Sequence, residues 1–323
     1  MKLKENKSVH WLKENGKVLP TAVTVVLFFV LLTIGQIVGG IAVGVPAGIL
    51  AAISYASRGN AGSVPNALDM LDPSHLFSLS MAMTIFSTII FVLYCRHVEK
   101  RSLRMIGFLR RGALKQYGLG LAVGFAMFAA IFMLNVITGS VIFEINIRNV
   151  NWTFFILSFL AFVIQGNSEE VLLRGFLMNS LASKKGVIFG VIVNSAVFAV
   201  IHLFNPGISV LAVVNLALFG LLMSLIYYKT DNIWVISGLH TIWNFAQGNI
   251  FGVLVSGMDF GDSMIKTTPV DGKSLFHGGD FGFEGGLSVT VILVVGIYLM
   301  MLQLKSDADR LALQDEDRII TYF

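Results

Sequence analysis

The sequence predicts an all-α fold: a polytopic transmembrane helical bundle of about eight spans with both termini in the cytosol. Three observations predict it. Of the 323 residues, 55% are hydrophobic and only 13% charged, with a mean hydropathy of +0.79. A soluble chain keeps roughly a quarter of its residues charged, so lipid must solvate much of this surface. Eight apolar windows approach the length of about 20 residues that a spanning helix needs: roughly 20–43, 75–95, 117–141, 153–178, 187–203, 208–228, 232–256 and 286–304. The third observation is the distribution of positive charge between these windows. One face holds Lys2, Lys4, Lys7, Lys13 and Lys17, the seven Lys and Arg of segment 95–116, and Lys184, Lys185, Lys229, Lys305, Arg310 and Arg318, eighteen in all. The other holds four, Arg58, Arg148, Lys266 and Lys273, and Arg174 falls inside a span. Basic residues stay on the cytosolic side, which fixes the orientation.

The elements follow in order. The first 17 residues are polar and basic, and the apolar run after them is too long for a signal-peptide core, so it is expected to remain as the first span. Segment 57–75, "SRGNAGSVPNALDMLDPSH", has the composition of an outside loop. The longest extracytoplasmic connection, 257–285, is rich in Gly and Asp and is expected to carry little order. The tail 307–323 is expected to form a short cytosolic amphipathic helix. Gly35 with Gly39, and Gly120 with Gly124, have the spacing of close helix contacts. Cys95 is the only cysteine, which excludes a disulfide framework. The basic residues sit in short topogenic loops, so no nucleic-acid partner is expected despite the net charge of +4. Three portions result: 1–99, a basic segment and two spans; 100–256, where the ionisable intramembrane residues concentrate; and 257–323, a Gly-rich loop, a last span and a tail.

Charge at membrane depth is expensive and marks function by default. The stretch "QGNSEEVLLRGFL", Gln165 to Leu177, places Glu169, Glu170 and Arg174 in the fourth window. Glu170 and Arg174 are four apart and share a helix face. Glu169 is turned about 100° away. The expected division has Arg174 neutralising Glu170 and Glu169 facing an internal cavity. "FAVIH" puts Phe198 one turn from His202, and "HTIWN" puts His240 one turn from Asn244. Taken singly, each has a structural explanation: a buried Glu–Arg pair locks helices, and Asn244 serves as interhelical glue, as do Gln36, Asn135, Asn194 and Asn215. Ser168 lacks the G-x-S-x-G elbow of a serine nucleophile. Together, a carboxylate, two histidines and an amide are the parts for water-mediated hydrolysis: a general base, a water-positioning imidazole and oxyanion donors.

The motifs "EEVLLR", "FAVIH" and "HTIWN", in that order on successive membrane helices, resemble the CPBP family, which comprises type II CAAX prenyl endopeptidases and bacterial Abi proteins of bacteriocin processing and self-immunity. The resemblance covers about residues 100–256, including the lead-in "SLRMIGFLRR". It implies an intramembrane endopeptidase in which Glu169 activates water, Glu170, Arg174 and Phe198 support it, His202 co-positions the water, and His240 and Asn244 donate to the oxyanion. Glu169, His202 and His240 also make a His₂Glu set, a catalytic zinc signature. No H-E-x-x-H is present, and an oxyanion role for His240 conflicts with metal ligation, so a metal-free mechanism without cofactor is favoured. His202 falls nearer the outer side than Glu169 and His240, which requires one of these helices to start deeper, tilt or break.

The expected partners are a peptide or membrane-protein substrate and the lipid bilayer, and the expected location is the cell membrane, as a multi-pass protein. Two rival functions are a non-catalytic immunity or scaffold protein and a proton-coupled transporter. The second predicts paired broken helices in two halves, and no internal repeat is visible.

Overall fold

The structure, a computed structural model, describes residues 5–57 and 73–320. Most of the outside loop expected at 57–75 therefore lies outside the described residues, as do Lys2, Lys4 and Arg58. Helix α1 (Lys7–Asn15) precedes the long α2 (Thr21–Ser57) and α3 (Pro73–His97). Helix α4 (Ala113–Ile137) leads through strand β1 (Val141–Ile145) to α5 (Trp152–Glu170). Helix α5 runs on as a π-helical segment, Val171–Met178, into α6 (Asn179–Lys185). Helices α7 (Val187–Val200), α8 (Val210–Thr230) and α9 (Ile233–Phe245) follow, and α9 also continues as a π-helix, Ala246–Ile250. Strand β2 (Ile265–Pro269), α10 (Ser274–His277) and α11 (Leu287–Ile320) complete the described chain.

Among the described residues, six helices are long and apolar enough to cross a membrane, the longest of these spans being the 34-residue Trp152–Lys185. The architecture is an all-α polytopic bundle of a multi-pass membrane protein. The two remaining windows are shorter than expected: α7 has 14 residues and α9 has 13 before its π-helical extension. These two short helices bring in the histidines. Residues 307–320 continue α11 without a break, so they do not form a separate short helix.

Side-chain contacts sort the connections into two ends. At one end Ser8 Oγ donates to Asp231 (2.7 Å), Arg101 reaches Ser180 Oγ (2.5 Å), and the Ile233 amide donates to the Gly107 carbonyl (3.0 Å). This end therefore gathers α1, the α3–α4 connection, α6 and the α8–α9 turn. At the other end β1 pairs antiparallel with β2, Val141 opposite Pro269, joining the α4–α5 and α9–α11 connections. Here the expectation of low order over 257–285 is corrected. Phe260, Phe281 and Phe283 are buried, and Phe283 stacks with Phe128 of α4 at 6.1 Å. Those aromatic rings, spaced without period among glycines, anchor the segment in the core of the bundle.

The glycine pairs meet their neighbours as expected. A Cβ at Gly120 would lie 2.0 Å from the Val235 carbonyl oxygen, and one at Gly35 would lie 2.4 Å from Ser87 Oγ. The intramembrane amides bridge helices: Asn135 donates to Ser288 (2.8 Å), Asn194 to Ser224 (2.9 Å) and Asn215 to the Glu284 carbonyl (2.8 Å). Cys95 is a buried free thiol.

Candidate active site

Glu169 and Glu170 lie at the end of α5, where the α-helical turn opens into the π-helix that starts at Val171. Such local widenings occur frequently at functional sites. Glu170 is fully enclosed. Arg174 Nη1 donates to its Oε1 at 2.9 Å, and Arg174 Nη2 donates to the Gly220 carbonyl at 3.0 Å. The Arg174 guanidinium also lies over the Phe198 ring, 5.2 Å from its centre. An arginine without those partners would be costly at this depth.

Glu169 points elsewhere. It is about one-fifth exposed, lines a cavity of about 430 Å³ and leaves Oε2 without a hydrogen-bond partner. Its Oε1 accepts from Gln165 Nε2 at 2.5 Å, and Gln165 Oε1 in turn accepts from Asn244 Nδ2 at 3.0 Å. Both glutamates meet one imidazole. His240 Nδ1 lies 2.7 Å from Glu170 Oε1, and His240 Nε2 lies 3.7 Å from Glu169 Oε2. Adjacent residues on a helix point in different directions, so the ring must sit between them for both contacts to form.

His202 is reached by a break. Helix α7 ends at Val200, and the turn that follows places His202 with Nδ1 2.7 Å from the Phe198 carbonyl. Its ring lies 4.8 Å from that of Phe198, which also contacts the His240 ring at 6.1 Å. His202, Glu169, His240 and Asn244 all line the one cavity. Ser168 Oγ is engaged with the Thr84 carbonyl at 2.8 Å, tying α5 to α3.

Two residues with clear parts in this geometry were not singled out from sequence. Gln165 stands one turn before Glu169, a spacing that was there to be noticed. Glu284 is the glutamate of the Gly- and Asp-rich connection before α11. It lines the cavity and accepts from Trp243 Nε1 (2.9 Å), the Ser256 amide (3.0 Å) and Ser256 Oγ (2.7 Å). Among the described residues, no three His, Cys, Asp or Glu side chains gather closely enough to share a metal ion.

Fold and site together define a multi-pass membrane protein with an ionisable cavity enclosed in its helices. Residues 151–246 match the family model of the Rce1-like type II CAAX prenyl endopeptidases, which are proteases. The matched segment runs from the start of α5 to the first residue after α9, and it contains all seven motif residues. No match to the chain is found among curated proteins or solved structures.

Proposed function

We propose that the protein is an intramembrane endopeptidase that hydrolyses a peptide bond of a membrane-associated peptide or protein, with water activated by Glu169. The observation that carries this reading is the unpartnered Glu169 Oε2 at the cavity, 3.7 Å from His240 Nε2. At 3.7 Å the two atoms are beyond direct hydrogen bonding, so Oε2 keeps its accepting capacity for a water that enters the site.

Glu169 takes the proton of the attacking water and returns it to the leaving amine. His202, with Nδ1 on the Phe198 carbonyl, keeps Nε2 as its free ring nitrogen to hold the water. Asn244 spends one amide hydrogen on Gln165 and retains the second for the oxyanion of the tetrahedral intermediate. With Nδ1 of His240 donating to Glu170, Nε2 donates to the oxyanion when the ring carries its second proton. Glu170 and Arg174 hold that ring in place.

The reaction is written without a metal, because the chain has no H-E-x-x-H and because metal ligation would take up His240 Nε2, the nitrogen assigned to the oxyanion. The membrane is proposed to be the cell membrane. The substrates that suit this chemistry are leader peptides or termini of membrane proteins, as in the processing branch of the CPBP family, and a non-catalytic immunity role is the competing reading.

The test is cleavage of a pool of leader and membrane peptides in detergent, comparing wild type, Glu169→Gln and His240→Ala with and without a strong chelator. Product that vanishes in both variants and survives chelation supports the proposal. Cleavage persisting in Glu169→Gln overturns the assignment of the base, and loss on chelation with rescue by zinc moves Glu169, His202 and His240 into a metal site.

A further inference from the structure

The cavity is built asymmetrically along the bundle. Its lining residues outside the α- and π-helices are Ile201, His202 and Asn205 after α7, Val255, Ser256, Met258 and Phe260 after α9, and Glu284 before α11. All belong to the end closed by the β1–β2 ribbon, and Asn205 Nδ2 donates to the Ser256 carbonyl (3.2 Å) to join two of these connections. The α3–α4 connection, the α6–α7 turn and the α8–α9 turn at the opposite end contribute no lining residue.

That opposite end is sealed. All eight residues of the π-helical segment Val171–Met178 are buried. Beneath them Arg101 and Glu99 pair at 2.5 Å, both about 1% exposed, with the Arg101 guanidinium 5.4 Å from the centre of the Phe176 ring. Ile106 and Tyr227 complete a layer with no exposed surface. By contrast His202, Asn205 and Met258 at the cavity are partly exposed.

Charge says which end is which. The sealed end carries Lys7, Lys13 and Lys17, the seven basic residues between Arg96 and Lys115, and Lys184, Lys185 and Lys229. The cavity end carries, among the described residues, Arg148, Lys266 and Lys273. Basic residues are retained on the cytosolic side, so the packed layer faces the cytosol and the cavity connections face outward.

Resting on the endopeptidase reading, we infer that the cavity is served from the extracytoplasmic side and that its substrate is an exported peptide or an outward-facing stretch of a membrane protein beside the bilayer. A C-terminus presented in the cytosol meets the packed layer of Arg101, Phe176 and Tyr227 instead of Glu169.

The experiment has two arms. In the first, the full chain carrying Cys95→Ser receives a single cysteine at Met258 (cavity) or Leu114 (start of α4, 89% exposed). A membrane-impermeant maleimide is applied to intact cells and to sealed inverted vesicles. Met258→Cys is expected to label in cells, and Leu114→Cys only in inverted vesicles. Labelling of Met258→Cys only in inverted vesicles, or in neither preparation, overturns the inference. In the second arm, charged quenched-fluorescent peptides cut by the detergent-solubilised protein in a Glu169-dependent way are offered to the same two preparations. Cleavage by cells and its loss in sealed inverted vesicles supports outward access. Equal cleavage in both, or cleavage only in inverted vesicles, overturns it. Absence of cleavage even in detergent counts against the endopeptidase reading alone, since the labelling arm judges the side of the cavity without it.

Discussion

Two neighbouring glutamates, one enclosed and one facing a cavity, have different uses because their partners differ. Glu170 is held by Arg174 on its own helix and by His240 from another, so removing the arginine strands a buried carboxylate. Arg174→Ala is expected to destabilise the fold by about 3–5 kcal/mol, read as a lowered unfolding temperature in detergent. Glu169→Gln, the variant expected to abolish cleavage, should unfold close to wild type, since it loses no ion pair to an arginine. Gln165 holds Glu169 and Asn244 together through its amide. Gln165→Leu is expected to lower kcat about tenfold with little change in KM, as one lost positioning hydrogen bond of about 1–1.5 kcal/mol would. The i,i+4 spacing of Glu170 and Arg174 makes their pairing legible in the sequence. The third partner is not, because His240 lies on a helix 70 residues away and nothing local announces which face it presents.

At the level of elements, the helices bearing the site are those that depart from regularity. Helix α7 stops early, and α5 and α9 both pass into π-helical turns just after their cavity-lining residues Glu169 and Asn244. Hydropathy measures length and polarity, so it found the windows but could not see where a helix stops or widens. Close packing was easier to read. Gly120 and Gly238 let α4 and α9 touch backbone to backbone, and a Cβ at Gly238 would lie 2.2 Å from the Tyr117 carbonyl oxygen. Gly120→Ala or Gly238→Ala is expected to cost about 1–3 kcal/mol through overpacking. Gly118→Ala, two residues from Gly120 and facing open space, should instead stabilise α4 by up to about 1 kcal/mol. Thermal unfolding of the three variants in one detergent checks the contrast.

For the molecule as a whole, the outer connection after α9 is structural and belongs with the site. Glu284 joins it to α9 through Trp243 and to the cavity wall through Ser256. Glu284→Ala leaves those donors without an acceptor and is expected to cost about 1–3 kcal/mol, with limited proteolysis newly cutting the connection between Gly252 and Gly282. The bundle and the polar helices were readable in composition and length. The order in this connection was not, because its buried aromatics follow neither a helical nor a strand period and its glycines look like those of any loop.

The ribbon of β1 with β2 joins parts of the chain separated by more than a hundred residues, and chains emerge from the ribosome N-terminus first. Glu169, His202, His240 and Asn244 are therefore all synthesised before β2 and Glu284 exist to close over them. During biogenesis these four residues precede the segment that packs over them, so the cavity wall is complete only once the connection carrying Glu284 has been made.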